Sequence, residues 1–207
     1  KEKEILLAEI QHRVKNNLQT IASLLRLQAR RSNSMEVKEA LKESVNRILS
    51  ISVVHEFLSQ QGDENIDVME VTKNILQLIQ QNMLDSHFKL ETEFIGETII
   101  LPSKQASNLA LIINELILNS IEHGFLGRNY GKIGLKSDEA YIIELYYNGN
   151  DLPEKFFDLP TKSLGLQIVR TLIEGDMNGS FDLYNDNGVH AKIAIPYKFL
   201  MESEVDV

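Results

Sequence analysis

The chain has no cysteine among its 207 residues, which excludes disulfides and thiolate metal sites and fits a reducing compartment. It has only 4 prolines, no internal repeat and no low-complexity tract. Basic residues are the minority, 21 Lys and Arg against 30 Asp and Glu, for a net charge of -9 and a pI near 5.1. That balance argues against general nucleic-acid binding. No apolar run approaches the length of a membrane span, and the two ends fit no secretory signal. Direct membrane contact is therefore not expected, and a cytoplasmic location is. Apolar residues, by contrast, make up 43%, enough for one or two globular domains. Lys1 begins directly in helical pattern with no Met or cap before it. This reads as the cytoplasmic end of a longer chain with an input domain upstream.

Leu7, Ile10, Val14, Leu18, Ile21 and Leu25 recur in steps of three or four, the stripe of an amphipathic helix running from about residue 2 to Arg31. At roughly 100° per residue, His12 lies about 160° from the centre of that stripe. It shares its line with Asn16, Gln19 and Ser23, with Lys15 and Arg13 on its flanks. An exposed histidine alone is ordinary surface; one set among amides and cations is a candidate nucleophile. Ser32-Asn33-Ser34 breaks the helix, and Asn33 with Glu36 reads as a capping box for the next. That second helix carries Val37, Leu41, Val45, Ile48, Leu49, Ile51 and Leu58 and ends near Gln61. Two long amphipathic helices joined by a short turn form a hairpin. A hairpin cannot bury both of its faces. Pairing with a second copy into a four-helix bundle is the expected completion, and packing on the following domain is the alternative.

Gly62-Asp63-Glu64-Asn65 is a polar joint, dividing domains expected at residues 1–62 and 66–200. Beyond it the pattern predicts a helix from Val68 to Met83 and strands at Phe88 to Ile95 and Thr98 to Leu101. A long helix follows from Lys104 to His123, with Ser103 as its N-cap and Gly124 just past its end. Strands at Gly131 to Lys136 and Tyr141 to Tyr147 precede a helix over Leu164 to Asp176. Strands near Ser180 to Tyr184 and Val189 to Ile195 close the chain. This order indicates an α+β sandwich, helices on one face of a largely antiparallel sheet. On the long helix Ala106, Leu109, Ala110, Ile113, Leu116, Ile117 and Ile121 form the core face. Asn108, Glu115, Asn119, Glu122 and His123 are expected on the opposite, solvated face. Glu115, Asn119 and His123 are four apart and stack as neighbours. An Asn carbonyl suits Mg²⁺, and a Glu one turn away can polarise a nucleophile.

His12-Arg13-Val14-Lys15-Asn16-Asn17-Leu18-Gln19 resembles the phosphoacceptor segment of bacterial sensor histidine kinases. Glu115-Leu-Ile-Leu-Asn119-Ser-Ile-Glu-His123 resembles the N-box of the ATPase domain shared by histidine kinases, gyrase, Hsp90 and MutL. Ser163-Leu164-Gly165-Leu166-Gln167-Ile168-Val169 resembles that domain's second glycine box. The likeness runs from about Glu9 to Pro196, with the motifs in the family's order. It implies a helical hairpin that dimerises and carries phosphate on His12, followed by an ATP-binding catalytic domain. It further implies ATP and Mg²⁺ as ligands and a response-regulator receiver domain as partner. Glu115 would assist phosphoryl transfer, Asn119 hold Mg²⁺, and His123 lie near the phosphates or ribose. Gly165 and Leu166 would meet phosphate at a helix N-terminus, and residues 152 to 162 form a short lid.

Two departures stand out. The first glycine box of the family would read Asp-Asn-Gly-x-Gly, where this chain has Tyr147-Asn148-Gly149-Asn150-Asp151. Tyr147 thus replaces the carboxylate that accepts the adenine amino hydrogen, and Asp151 puts negative charge near the phosphates. Further on, Gly188-Val189 stands for the family's Gly-Thr, losing a hydroxyl that supports the same site. The function implied is a sensor histidine kinase that phosphorylates His12 from Mg-ATP and serves a response regulator. The alternative is a phosphotransfer or scaffold protein of kinase ancestry with weak or lost ATP binding.

Overall fold

The computed structural model describes residues 2–61, 66–138, 141–154 and 164–196. The chain divides into two compact units, Lys1–Gly62 and Asp63–Val207. The first is a hairpin of α1 (Glu2–Arg31) and α2 (Met35–Gln61). Ala22 and Val45 are buried between its helices, while Ile10, Ile21, Leu24 and Leu27 remain about half exposed. These apolar side chains are what a single hairpin leaves uncovered. The turn differs from the expected capping box. Ser34, not Asn33, precedes the first helical residue, and its hydroxyl accepts the Val37 N–H at 3.3 Å. Ser32 in turn accepts the Ser34 N–H at 3.2 Å. The run holds three residues able to cap, and only Ser34 stands where its oxygen reaches the third helical N–H.

The second unit has a five-stranded sheet of β2 (Lys89–Gly96), β4 (Tyr130–Ser137), β5 (Ile142–Tyr147), β6 (Ser180–Asn185) and β7 (Val189–Ala194). Its order is β2-β4-β5-β7-β6, with β2 parallel to β4 and the remaining pairs antiparallel. A two-residue pair, β1 (Ile66–Asp67) with β3 (Ile100–Leu101), lies apart from it. The strand expected at Thr98 to Leu101 is thus only Ile100–Leu101 and lies outside the main sheet, and its two-residue partner Ile66–Asp67 is too short to leave a periodicity. The helices are α3 (Val68–Asn82), α4 (Ser103–Asn119) and α5 (Leu164–Arg170). Asp67 caps α3, accepting the Met69 N–H at 2.8 Å. The cap expected at Ser103 is not one: Ser103 is the first helical residue and Pro102 holds the cap position without a side-chain bond. Both α4 and α5 end in a π turn, Ser120–Gly124 and Thr171–Asp176, a widening of the helix often found at functional sites.

Alternation on the strands sorts the two faces of the sheet. Ile133, Leu135, Ile143, Leu145, Ala191 and Ile193 point into the core, which α4 fills with Leu109, Ile113 and Ile117 and α5 with Leu166 and Val169. The outer face holds a polar network. The His190 ring stacks between Tyr146 and Tyr184, at centroid distances of 5.5 and 5.1 Å. Glu144 takes hydrogen bonds from His190 and from the Tyr184 hydroxyl, and the Tyr146 hydroxyl donates to Glu93.

Burial works against the charge on Glu144, but His190, Tyr184 and Lys136 outweigh it and hold the carboxyl below its usual range. A carboxyl depressed in the folded state contributes stability above its unfolded pKa and loses it as pH falls through the folded value. Wild type should therefore lose more denaturant stability between pH 5 and 3 than Glu144→Gln. Parallel losses in the two proteins would show that this network does not couple folding to pH.

Candidate functional site

In the hairpin, His12 is exposed on α1, as its distance from the apolar stripe predicts. The Asn16 side chain lies 3.0 Å from its Nδ1, one helical turn on. Nε2 has no protein partner among the described residues. The two neighbouring cations are already engaged. Arg13 bonds Glu9 at 2.6 Å, and Lys15 bonds Glu56 of α2 at 2.7 Å. Both pairs are substantially exposed, so each is worth little and exchanges readily. Gln11, His12, Lys15, Asn16, His55, Glu56 and Ser59 line a hollow of about 230 Å³. The α2 side of it, Glu56 with His55, carries no motif. Only folding the hairpin brings Glu56 to Lys15 across 41 positions.

In the second unit, α4 is buried nearly all round, which corrects the expected solvated face. Glu115 is 3% exposed and Asn114 1%; Asn119 and Glu122 are half-buried, and His123 is exposed. A helix packed on several sides hides polar residues off its apolar stripe as well. Among the described residues, both amide atoms of Asn114 and the Nδ2 of Asn119 are buried without a hydrogen-bond partner. Orphaned buried amides are costly.

Asn119 lines a small cavity with Leu116, Leu145, Tyr147, Leu152, Leu166, Leu183, Val189 and Ala191. The N-box, the first and second glycine boxes and the last strand thus converge here. The cavity measures about 30 Å³, room for about two water molecules and far below the roughly 300 Å³ at which ligand pockets begin. Tyr147 is the largest side chain on its wall. Its ring is 7% exposed and meets Phe125 edge-on at 5.8 Å. It lies so close over Gly124 and Gly149 that a methyl group at either would overlap it. Tyr147 and Val189, the two departures from the family pattern, face each other across β5 and β7. Burial, and then the charge of Asp151, pushes the Tyr147 hydroxyl up to about 12, so the ring is a neutral phenol at any physiological pH.

Two supports of this cavity carry no sequence signal. Arg128 holds the Tyr147–Asp151 turn, donating to the Asn148 carbonyl at 2.9 Å and to Asn150 Oδ1 at 3.1 Å. Asn185 bonds both backbone groups of Leu152, at 3.0 and 2.9 Å, and so pins the start of the expected lid to β6. Gly165 and Leu166 are buried in the first turn of α5. Ser163, the lid beyond residue 154 and the joint at 62–65 lie outside the described residues.

The two ends of the expected ATP site differ in fit. At the Asn119 end, an amide with an unpartnered Nδ2 suits a phosphate oxygen, or a hard cation if its oxygen turns inward. At the Tyr147 end, a base does not fit while the ring stays where it is.

A sequence model of the histidine kinase family matches residues 9–83. The sensor histidine kinase PdtaS of Mycobacterium tuberculosis is 37% identical over 200 residues, covering 94% of this chain and 40% of that protein. The blue-light-activated histidine kinase 2 of Erythrobacter litoralis is 27% identical over 179 residues, covering 82% of this chain and 50% of its own length. This chain therefore spans about two-fifths to one-half of these relatives. The histidine kinase domain of the Erythrobacter litoralis blue-light-activated kinase EL346 has the same fold. It superposes with a TM-score of 0.61 at 23% identity, over 95% of this chain and 93% of that one.

Proposed function

The chain belongs to the histidine kinase family, and on that footing we propose that it takes a phosphoryl group from Mg-ATP onto His12 and passes it to an aspartate of a response-regulator receiver domain. The observation that carries this reading is the His12 ring, exposed, held by Asn16 at one nitrogen and open at the other. An amide orients imidazole in either of two ways. With its nitrogen towards Nδ1 it leaves the ring proton on Nε2; with its oxygen there it holds Nδ1–H and frees the Nε2 lone pair to attack. As it stands, the Asn16 Nδ2 faces Nδ1 and the ring proton is on Nε2; the amide must turn over for Asn16 to hold Nδ1–H and free Nε2 to attack. Replacing Asn16 by Ala should slow labelling of His12 about two- to tenfold, the value of one hydrogen bond. Equal labelling rates for Asn16→Ala and wild type would remove Asn16 from the site.

In the second unit Asn119 would hold Mg²⁺, whose charge offsets that of the phosphates. Glu115, one turn earlier, would draw the proton from the nucleophile. Gly165 and Leu166 would meet phosphate with backbone N–H groups, with His123 at the rim. A second reading rests on Tyr147: a phosphotransfer or scaffold protein whose base site its own ring occupies. Incubation with γ-labelled Mg-ATP should give acid-labile, alkali-stable label that moves to an added receiver domain. Label acquired only from a phosphorylated receiver would favour the second reading. Label from neither source would exclude phosphotransfer and leave only the scaffold.

We also propose a homodimer, supported by the apolar residues the hairpin leaves exposed. Light scattering at micromolar concentration should give twice the 23.6 kDa chain mass; a monomer that still accepts phosphate would contradict the bundle. A cytoplasmic location belongs to the same proposal. Among the described residues no helix is long and apolar enough to cross a membrane.

A further inference from the structure

Among the described side chains around the hollow of about 230 Å³ at His12, one is a carboxylate, Glu56 of α2. A negative charge is an odd neighbour for a ring that receives a phosphoryl group, because it repels the incoming anion. Glu56 does not face the hollow bare. Its Oε1 accepts a hydrogen bond from the Lys15 ammonium at 2.7 Å, across the two helices. Lys15 follows His12 by three residues, and residues three apart are neighbours on a helix surface. Lys15 therefore lines the hollow from the His12 side and is held from the Glu56 side.

Lys15 and Glu56 are 38% and 43% exposed, so water screens the pair and it breaks readily. A phosphoryl group on His12 changes the competition. It brings nearly two negative charges and three strong acceptor oxygens, within reach of a side chain one helical turn away. Against that partner a single exposed carboxylate is the weaker one. No other lysine or arginine among the described residues lines the hollow. Arg13 lies outside it, bonded to Glu9 at 2.6 Å. Gln11 donates to the Ser59 carbonyl at 3.3 Å, and Asn16 meets the His12 ring. Lys15 is thus the cation for which phosphoryl and carboxylate compete.

We propose that Glu56 is a positioning residue for phosphoryl transfer: it competes with the phosphoryl group of phospho-His12 for Lys15, and so keeps that group from being held too firmly to leave. The proposal rests on the reading of His12 as the phosphoryl carrier. In transfer to an acceptor the Nε2–P bond breaks and its electron pair stays on Nε2, while an acceptor carboxylate oxygen bonds phosphorus. A proton on Nδ1 makes the departing ring neutral imidazole. Contact of Lys15 with the phosphoryl oxygens stabilises phospho-His12 relative to the phosphorylated acceptor. Contact of Lys15 with Glu56 stabilises the unphosphorylated state instead.

The test measures how label divides at equilibrium between His12 of the whole chain and a purified response-regulator receiver domain. Label enters from Mg-ATP, or from a receiver charged with labelled acetyl phosphate, and the donor is then removed. Glu56→Gln should shift the division towards His12 about three- to fivefold, the upper range for one partly exposed charge pair. Lys15→Gln should shift it the other way. In the Lys15→Gln background, Glu56→Gln should lose most of its effect, because the carboxylate acts through the ammonium group. Glu56→Asp keeps the charge and should restore most of the wild-type division. Glu39→Gln, exposed on the same helix and outside the hollow, should behave as wild type. Circular dichroism confirms the helices of each variant, with Glu56→Ser as a second neutral variant should Glu56→Gln fail to fold. An unchanged division of label, with or without lowered thermal stability, would reduce Glu56 to a tie between the helices and overturn the proposal. A Glu56→Gln shift of full size in the Lys15→Gln background would overturn it too, since the carboxylate would then act without Lys15. Failure of wild-type His12 to take label from either donor would overturn the underlying reading and the proposal with it.

Discussion

Replacing Tyr147 by aspartate and Val189 by threonine together should tighten Mg-ATP binding about ten- to hundredfold, the worth of one hydrogen bond to a charged acceptor at about 1.5–3 kcal/mol. The structure adds volume to the hydrogen-bond reason. The Tyr147 ring lies over Gly124 and Gly149 and leaves a cavity of about 30 Å³, so a base enters only if the ring leaves. Aspartate there vacates most of that space and presents an acceptor. Threonine at Val189, directly opposite on β7, adds a hydroxyl on the same wall. Without ligand, the buried aspartate has lost a well-packed aromatic and sits unpaired, which costs stability. The double variant should accordingly melt lower than wild type when free and recover more on adding Mg-ATP, because a ligand stabilises only the state it binds. Tyr147→Ala, which opens space without an acceptor, should fall between the two in affinity. Calorimetric affinities equal in all three proteins would show that the ring does not stand in the way of the base.

His12→Ala should abolish phosphorylation altogether, from ATP or from a phosphorylated receiver, a loss beyond any rate factor because the nucleophile itself is gone. The other histidines do not replace it. His190 is held between two tyrosines with Glu144 on Nδ1, while His55 and His87 belong to no matching motif. His123 lies in the second unit, apart from the His12 segment. The variant should leave nucleotide affinity unchanged, since His12 and the cavity at Asn119 belong to separate units. Label surviving in His12→Ala would move the phosphoacceptor elsewhere.

Much of this was legible in sequence, and the failures are instructive. Long helices and the strands of the main sheet carry their periodicity openly, and His12 lies off its stripe by an angle anyone can compute. The N-box and second glycine box placed Asn119 and Leu166, which the fold brings to one cavity. Periodicity places Glu115 on a solvated face because it sorts a helix into two faces, whereas α4 is packed on more than one side and buries it. Pairings distant along the chain were invisible. Lys15 with Glu56, Asn185 with Leu152 and Arg128 with the Asn148 turn connect residues whose identities predict no partner. Tyr147 and Val189 read as two separate departures; only strand register shows them facing each other.

We propose a hairpin that carries phosphate on His12, joined to a nucleotide-binding unit in which Tyr147 occupies the place of the base. Titration calorimetry of wild type with Mg-ATP and Mg-GTP, at equal Mg²⁺, tests it most directly. Weak binding of both with little preference is expected, because the phosphate contacts proposed for Asn119 and Gly165 are kept while the base finds little room and no charged acceptor. Low-micromolar binding of Mg-ATP with strong preference over Mg-GTP would contradict it, and would mean that Tyr147 leaves its seat and adenine is read by another group.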